Sequence, residues 1–225
     1  MPTNENQPPT PTRRKRTRLP AEQRRAQILD AAAAVIVERG FDGLTMEAIT
    51  DRAGVSKALG YSYFNRLEDL LHALYDREFS VIYERLRPIL LSEAPIEKRI
   101  RDKVHTYFDV IAERHDLYLR LNANLRGPTY RREREERQYK WEGFVAEIVE
   151  TEYRVPKRLS RAVARLLMVL DDRCVQLWTR DGLPRDEIEE VCVQFQLAGL
   201  EAILERRTRT AVTRPATARA RRKRT

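Results

Sequence analysis

Apolar residues recur along this chain at steps of three and four, and no stretch alternates apolar with polar for long, a spacing that belongs to helices. The first such stretch, Ala21–Arg39, puts Ile28, Leu29, Ala32, Ile36 and Val37 on a buried stripe, with Gly40 at the position where glycine ends helices. Phe41-Asp42-Gly43 makes a turn, and Thr45 caps a short helix through Ala53. The full capping box is absent, because Ala48 stands three residues after Thr45 and Glu47 comes one place early. Gly54 and Val55 turn the chain again, Ser56 caps a third short helix ending near Phe64, and Asn65-Arg66 breaks it. The periodicity then predicts longer helices over 67–91, 96–114, 116–126, 130–153, 160–180 and 185–207. Pro88 marks the frayed end of the first of these, and breaks fall at Gly127-Pro128, Val155-Pro156 and Asp181-Gly182-Leu183-Pro184. The fold class read from this pattern is all-α.

Composition supports a globular chain: 42% of its 225 residues are hydrophobic and 34% charged. Charge changes the picture more. Residues 1–18 carry +4 and 207–225 carry +8 of a net +9, so the body between them is at −3. Two basic arms flank a slightly acidic body, and such arms either attract nucleic acid through its phosphates or serve as solubilising ends. Residues 1–20 and 208–225 are expected to be disordered. The longest clean apolar run, 31–37, is far short of the ~20 residues that cross a bilayer. No apolar core follows the N-terminal basic cluster, so no secretory signal is expected. Cys174 and Cys192 lie in apolar-periodic helical sequence and read as buried free thiols, which fits the cytoplasm. The alternating charges of residues 131–137, RREREER, read as a solvated helix face.

Two short helices joined by Ala53-Gly54-Val55-Ser56, the second rich in polar and aromatic residues, form a helix-turn-helix pattern. The first helix braces the second, which must stand proud to enter the major groove, where base edges are distinguishable. Residues 44–74, LTMEAITDRAGVSKALGYSYFNRLEDLLHAL, resemble the DNA-binding region of the TetR family, the tetracycline-repressor-like regulators. RRAQILDAAAAVIVERGFDGLT before them is similar to that family's first helix and following loop, so the likeness covers residues 21–74.

The resemblance implies a three-helix DNA-binding domain (21–74) and a larger helical domain (75–207) that binds a small-molecule effector and forms a homodimer through its last two helices, about 160–207. It implies a cytoplasmic repressor of a palindromic operator on double-stranded DNA, released by its effector. Thr45 then presents its hydroxyl and amide to a phosphate, and Ser56 caps the recognition helix. Lys57, Ala58, Leu59 and Ser62 take the groove-facing positions, Tyr61 and Tyr63 reach backbone and bases, and Phe64 seats the helix on the core. Three residues depart from the family's pattern. Gly60 replaces an aliphatic residue. Leu59 stands where a small residue faces DNA, whereas periodicity alone places it in the core. Leu67 replaces a phosphate-binding lysine, a role adjacent Arg66 is placed to take.

Tyr107, Phe108, Tyr118, Asn122, Trp141, Phe144 and Trp178 are candidates for an effector pocket, although large aromatics in helical bundles are usually core. An apolar or amphipathic effector is the expectation. His72, His105 and His115 share no metal-ligand spacing with each other or with either cysteine, so no metal is expected. Asp171 and Asp172 point about 100° apart on a helix, which predicts that they face different sites and that Asp171-Asp172 pairs with Arg173 or a partner chain. No phosphate loop or nucleophile motif is present, and no enzyme, cofactor or membrane partner is expected. Two other readings remain: an architectural DNA-binder working through the basic arms, and a ligand-binding protein of this fold that no longer reads DNA. For the dimer face the sequence offers Val163, Leu166, Leu167, Leu170, Val191, Val193, Leu197, Leu200, Ile203 and Leu204, too many for one stripe per helix.

Overall fold

A computed structural model describes residues 19–124 and 128–212, all of its regular elements being helices. They are α1 (Ala21–Arg39), α2 (Met46–Arg52), α3 (Lys57–Tyr63), α4 (Leu67–Leu90), α5 (Ile96–Asn124), α6 (Pro128–Glu152), α7 (Lys157–Thr179) and α8 (Arg185–Val212). The basic arm 1–18 and residues 213–225, expected to be disordered, lie outside the described residues.

Helices α1 to α3 pack as one head. Its core is Ile28, Leu29, Ala32, Val35 and Ile36 from α1, Met46 and Ile49 from α2, and Phe64 beyond α3. Val37 is a correction: it is 38% exposed, because the stripe continues to Val35 and Ile36 and the next residue turns about 100° out of it. Helix α4 runs through residue 74, where the two domains were expected to meet, without a break. Pro88 sits in the last turn of α4 without ending it.

The larger domain lays α5 along α4 and α8, and α7 between α6 and α8. The two helices expected over 96–114 and 116–126 are one element with a kink at Arg114, whose φ of −124° and ψ of 15° leave the helical region. Arg114 pairs there with Glu78, a buried residue of α4 that also binds Arg77 at 2.9 Å, and Arg77 reaches Asp30 of α1 at 2.6 Å. A charged strap thus runs from α1 across α4 to the kink. The remaining bounds shift modestly. Helix α6 starts at Pro128, a first-turn position that proline's fixed φ suits, and α7 starts at Lys157. Helix α8 runs to Val212, so residues 208–212 are helical and not part of a tail.

Candidate nucleic-acid interface and apolar cavity

Two short helices need their ends satisfied, and both are capped as the sequence suggests. Thr45 Oγ1 accepts the amide of Ala48 at 3.1 Å, and Ser56 Oγ accepts that of Leu59 at 3.2 Å. Each hydroxyl keeps its proton for an outside acceptor such as a phosphate oxygen. Gly54 takes φ +64° in the turn, and Gln27 of α1 donates to the Ala53 carbonyl at 2.7 Å, tying the turn to the first helix. Replacing Thr45 or Ser56 by Ala should cost about 1 kcal/mol each in urea denaturation, an unchanged midpoint being the contrary result.

Along α3, Lys57, Ala58, Tyr61 and Ser62 are exposed on one side, and Gly60 is buried on the other with Phe64 just beyond. Phe64 lies under the Arg25 guanidinium, 4.9 Å from its ring centre. Leu59 is half-buried, between its two sequence readings, and Tyr63 is half-buried against the core. Ser62 spends its proton on the Leu59 carbonyl at 2.8 Å. Arg66 is exposed but shares its charge with Asp69 at 3.3 Å and Glu68 at 3.5 Å. Residues 21–74 hold six basic and eight acidic side chains, so the head itself carries no excess positive charge.

Gly60 resolves into a packing feature. A Cβ built there would lie 2.4 Å from the Thr50 methyl of α2. Thr50 cannot easily turn away, since its hydroxyl donates to the Met46 and Glu47 carbonyls at 2.9 and 3.0 Å. The two helices therefore approach more closely than an aliphatic residue at position 60 allows.

In the larger domain, an apolar cavity of about 60 Å3 lies between Leu86 and Leu90 of α4, Ile100 of α5, Val145 of α6, Met168 of α7 and Leu200 of α8. A second, of about 80 Å3, adjoins it across Leu86, Trp141 and Met168, and is more polar, with Tyr107, Arg134 and Asp172 in its wall. At the floor between them Lys103 donates to both oxygens of Asp171 at 2.7 Å and to Gln196 at 2.7 Å. Gln196 in turn donates to Asp171 at 2.7 Å, closing a buried triad of α5, α7 and α8. Asp172 keeps accessible surface, but that surface opens onto this cavity and a neighbouring one. Burial pushes its carboxyl above the ordinary value, opposed by the Tyr107 hydroxyl that donates to it. Burial likewise pushes the Tyr83 phenol up to about 12.

The family model for bacterial regulatory proteins of the TetR family matches residues 28–74, the stretch that holds the helix-turn-helix. The chain belongs to the TetR family. The HTH-type transcriptional activator FasR of Mycolicibacterium smegmatis is 27% identical over 194 residues, 84% of this chain and 89% of that protein. The fatty acid metabolism regulator protein of Bacillus subtilis is 29% identical over 100 residues, 44% of this chain and 52% of that one. Among solved structures, the fatty acid degradation regulator FadR from Bacillus halodurans superposes with a TM-score of 0.67 at 23% identity, covering 79% of this chain and 96% of that chain, and so shares the fold. This TetR-family chain is a DNA-binding transcriptional regulator.

Of the residues proposed for a pocket, Tyr107, Tyr118 and Trp141 line the second cavity, and Trp141 the apolar one also. Phe108 is a correction: it is fully buried and stacks on Trp178, ring centres 5.6 Å apart, so both serve packing. Phe144 packs on Trp141 at 4.9 Å beneath Arg87 and lines neither cavity. The Asn122 side chain lies outside the described residues. Asp171 pairs with Lys103, not Arg173, and it shares a cavity wall with Asp172, contrary to the angular argument; the neighbouring helices close around both. Arg137, expected in solvent, is half-buried, pairs with Asp76 and lies 4.9 Å over the Tyr75 ring.

Both cysteines are buried free thiols, and a hydrogen bond to Cys174 together with burial holds the Cys192 thiol well above its ordinary value. Among the described residues no cluster of His, Cys, Asp and Glu could hold a metal ion, and no helix is long and apolar enough to cross a membrane. His105 bonds Glu189 at 3.0 Å and lies 3.4 Å from Asp109.

Proposed function

We propose that this regulator is a homodimer that binds a palindromic operator and is released from it by a small apolar or amphipathic effector, acting as a repressor in the cytoplasm. The observation that carries this reading is the position of the apolar cavity. Leu86 and Leu90 of its wall belong to the same unbroken helix whose first turn follows the recognition helix. An effector that widens the cavity displaces α4, and a differential preference of a few kcal/mol between two head positions is enough to change operator occupancy. The cavity has room for about five waters, so a slim hydrocarbon chain suits it better than a fused ring system. Two of the similar proteins are named for fatty acid regulation, which supports an effector of that kind. The similarity to FasR, named an activator, favours a second reading in which the same switch turns transcription on.

Thr45, Ser56, Lys57, Ala58, Leu59, Tyr61, Ser62, Tyr63 and Arg66 form the DNA-facing set in this reading. Because the head has no excess positive charge, the basic arms supply most of the sequence-independent attraction. The test begins with an operator selected from random DNA. Tyr61→Ala, at a side chain 43% exposed and free of the core, should weaken operator binding at least tenfold without changing thermal stability. Removing residues 1–18 and 213–225 should weaken binding to all sequences alike and flatten the salt dependence. If Tyr61→Ala binds normally while arm removal abolishes all binding, the protein is an architectural DNA-binder. No enrichment of any sequence from the random pool points instead to a protein of this fold that no longer reads DNA.

A further inference from the structure

Two residues in the wall of the apolar cavity carry buried donors that the protein leaves unsatisfied. Tyr153, 7% exposed, and Arg99, 9% exposed, both line it and lie close enough to influence each other's charge state. The Tyr153 hydroxyl and Arg99 Nε have no hydrogen-bond partner. The rest of the guanidinium is committed, with Nη1 donating to the Leu90 carbonyl and to Glu152, each at 3.0 Å, and Nη2 to Glu152 as well. An unsatisfied buried donor costs about 1–3 kcal/mol, and native cores rarely carry two side by side. Packing alone gives no reason to keep the hydroxyl, since phenylalanine at 153 would fill the same space.

We propose that Arg99 and Tyr153 form the polar anchor of this cavity and hold one uncharged acceptor oxygen, such as a carbonyl, of an otherwise hydrocarbon effector. This rests on the effector reading above. A carbonyl oxygen has two lone pairs, one for the phenol proton and one for the Nε proton. Charge balance selects a neutral oxygen over a carboxylate. Arg99 is already matched by Glu152, and Lys103, the other cation in the wall, by Asp171 at 2.7 Å. A carboxylate would add an unmatched negative charge to a chamber whose cations are already paired. The anchor also sets direction. Arg99 is fastened to the Leu90 carbonyl at the end of α4, so a ligand held there lies against the helix that continues to the head.

The test compares the full-length protein with Tyr153→Phe, using 2-nonanone and nonanoate at pH 8 as probes and calorimetry as the readout. The ketone should bind the unmodified protein about fivefold more tightly than it binds Tyr153→Phe, the worth of one hydrogen bond. Thermal stability of Tyr153→Phe should be equal or higher, because the hydroxyl it loses has no partner; a hydroxyl with a merely structural role would lower it. Nonanoate should bind the unmodified protein more weakly than the ketone. Equal ketone affinity for the two proteins overturns the anchor, as does tighter binding of nonanoate. Failure of the ketone to bind at all, the donors then being satisfied by water, overturns it too. The effector reading fails separately, if the ketone binds as described yet leaves operator affinity unchanged.

Discussion

Gly60→Ala should destabilise the DNA-binding head by about 2 kcal/mol, although alanine is the better helix former by about 1 kcal/mol. The added methyl would meet the Thr50 methyl at 2.4 Å, and Thr50 is held in that rotamer by two backbone carbonyls. Relief requires α3 to move away from α2, which displaces Lys57 and Tyr61 from their seat. Operator affinity should therefore fall with stability. The control is Thr50→Ser, which removes the methyl and keeps the hydroxyl. Combined with Gly60→Ala, it should restore most of the loss, giving a coupling energy of at least 1 kcal/mol in a double-mutant cycle read by urea denaturation. Additive losses would mean that the two residues do not determine the spacing of the helices.

The second large effect concerns the outer face of α7 and α8. Leu166 is 68% exposed and Phe195 67%, and Val169, Val191 and Leu204 are exposed beside them on the same two helices. Large apolar side chains grouped in this way are uncommon on monomers, and in the homodimer proposed above this is the face the second copy would cover. Paired with a copy of itself the face makes a four-helix arrangement. Leu166→Glu with Phe195→Glu should give a monomer in sedimentation velocity at micromolar concentration. Its helix content should stay near normal, since neither side chain enters the core. Operator affinity should fall by two orders of magnitude or more, because each head alone then reads one half-site. A dimer that persists with both substitutions places the interface elsewhere.

How far each of these features could be read in advance depends on where its cause lies. Caps at Thr45 and Ser56 and the turn at Gly54 are set by residues a few places away, and the sequence displays them; the seat of Phe64, made with α1, is legible only through the resemblance to the family. Gly60 has no local reason in the sequence, because its reason is a methyl on another helix. Asp171 departs from its sequence expectation for the same cause, as its partner Lys103 stands 68 residues away on α5. On α7 and α8 the periodicity found apolar residues on several faces without sorting them: Val193 and Leu200 point inward, Leu166 and Val191 outward. Phe195 was missed, although its position four residues after Val191 on the same face is a signal that could have found it. Tyr153, at a helix end beside a proline-bearing break, gave no periodic signal at all.

Helix α4 invites a mechanical reading. It has 24 residues, so it is about 36 Å long, and its midpoint is held to two other helices, Glu78 by Arg114 of α5 and Arg77 by Asp30 of α1. A rod pinned at its centre is a lever, and pressure at Leu86 and Leu90 swings its opposite end the other way. A tilt of about 5° moves each tip by roughly 1.5 Å, and two protomers tilting in opposite senses change the head separation by roughly 3 Å. Successive major grooves are about 34 Å apart, so that error is enough to bring side chains out of hydrogen-bonding reach of their bases in at least one half-site. Weakening the fulcrum should then uncouple cavity from head while leaving both able to bind.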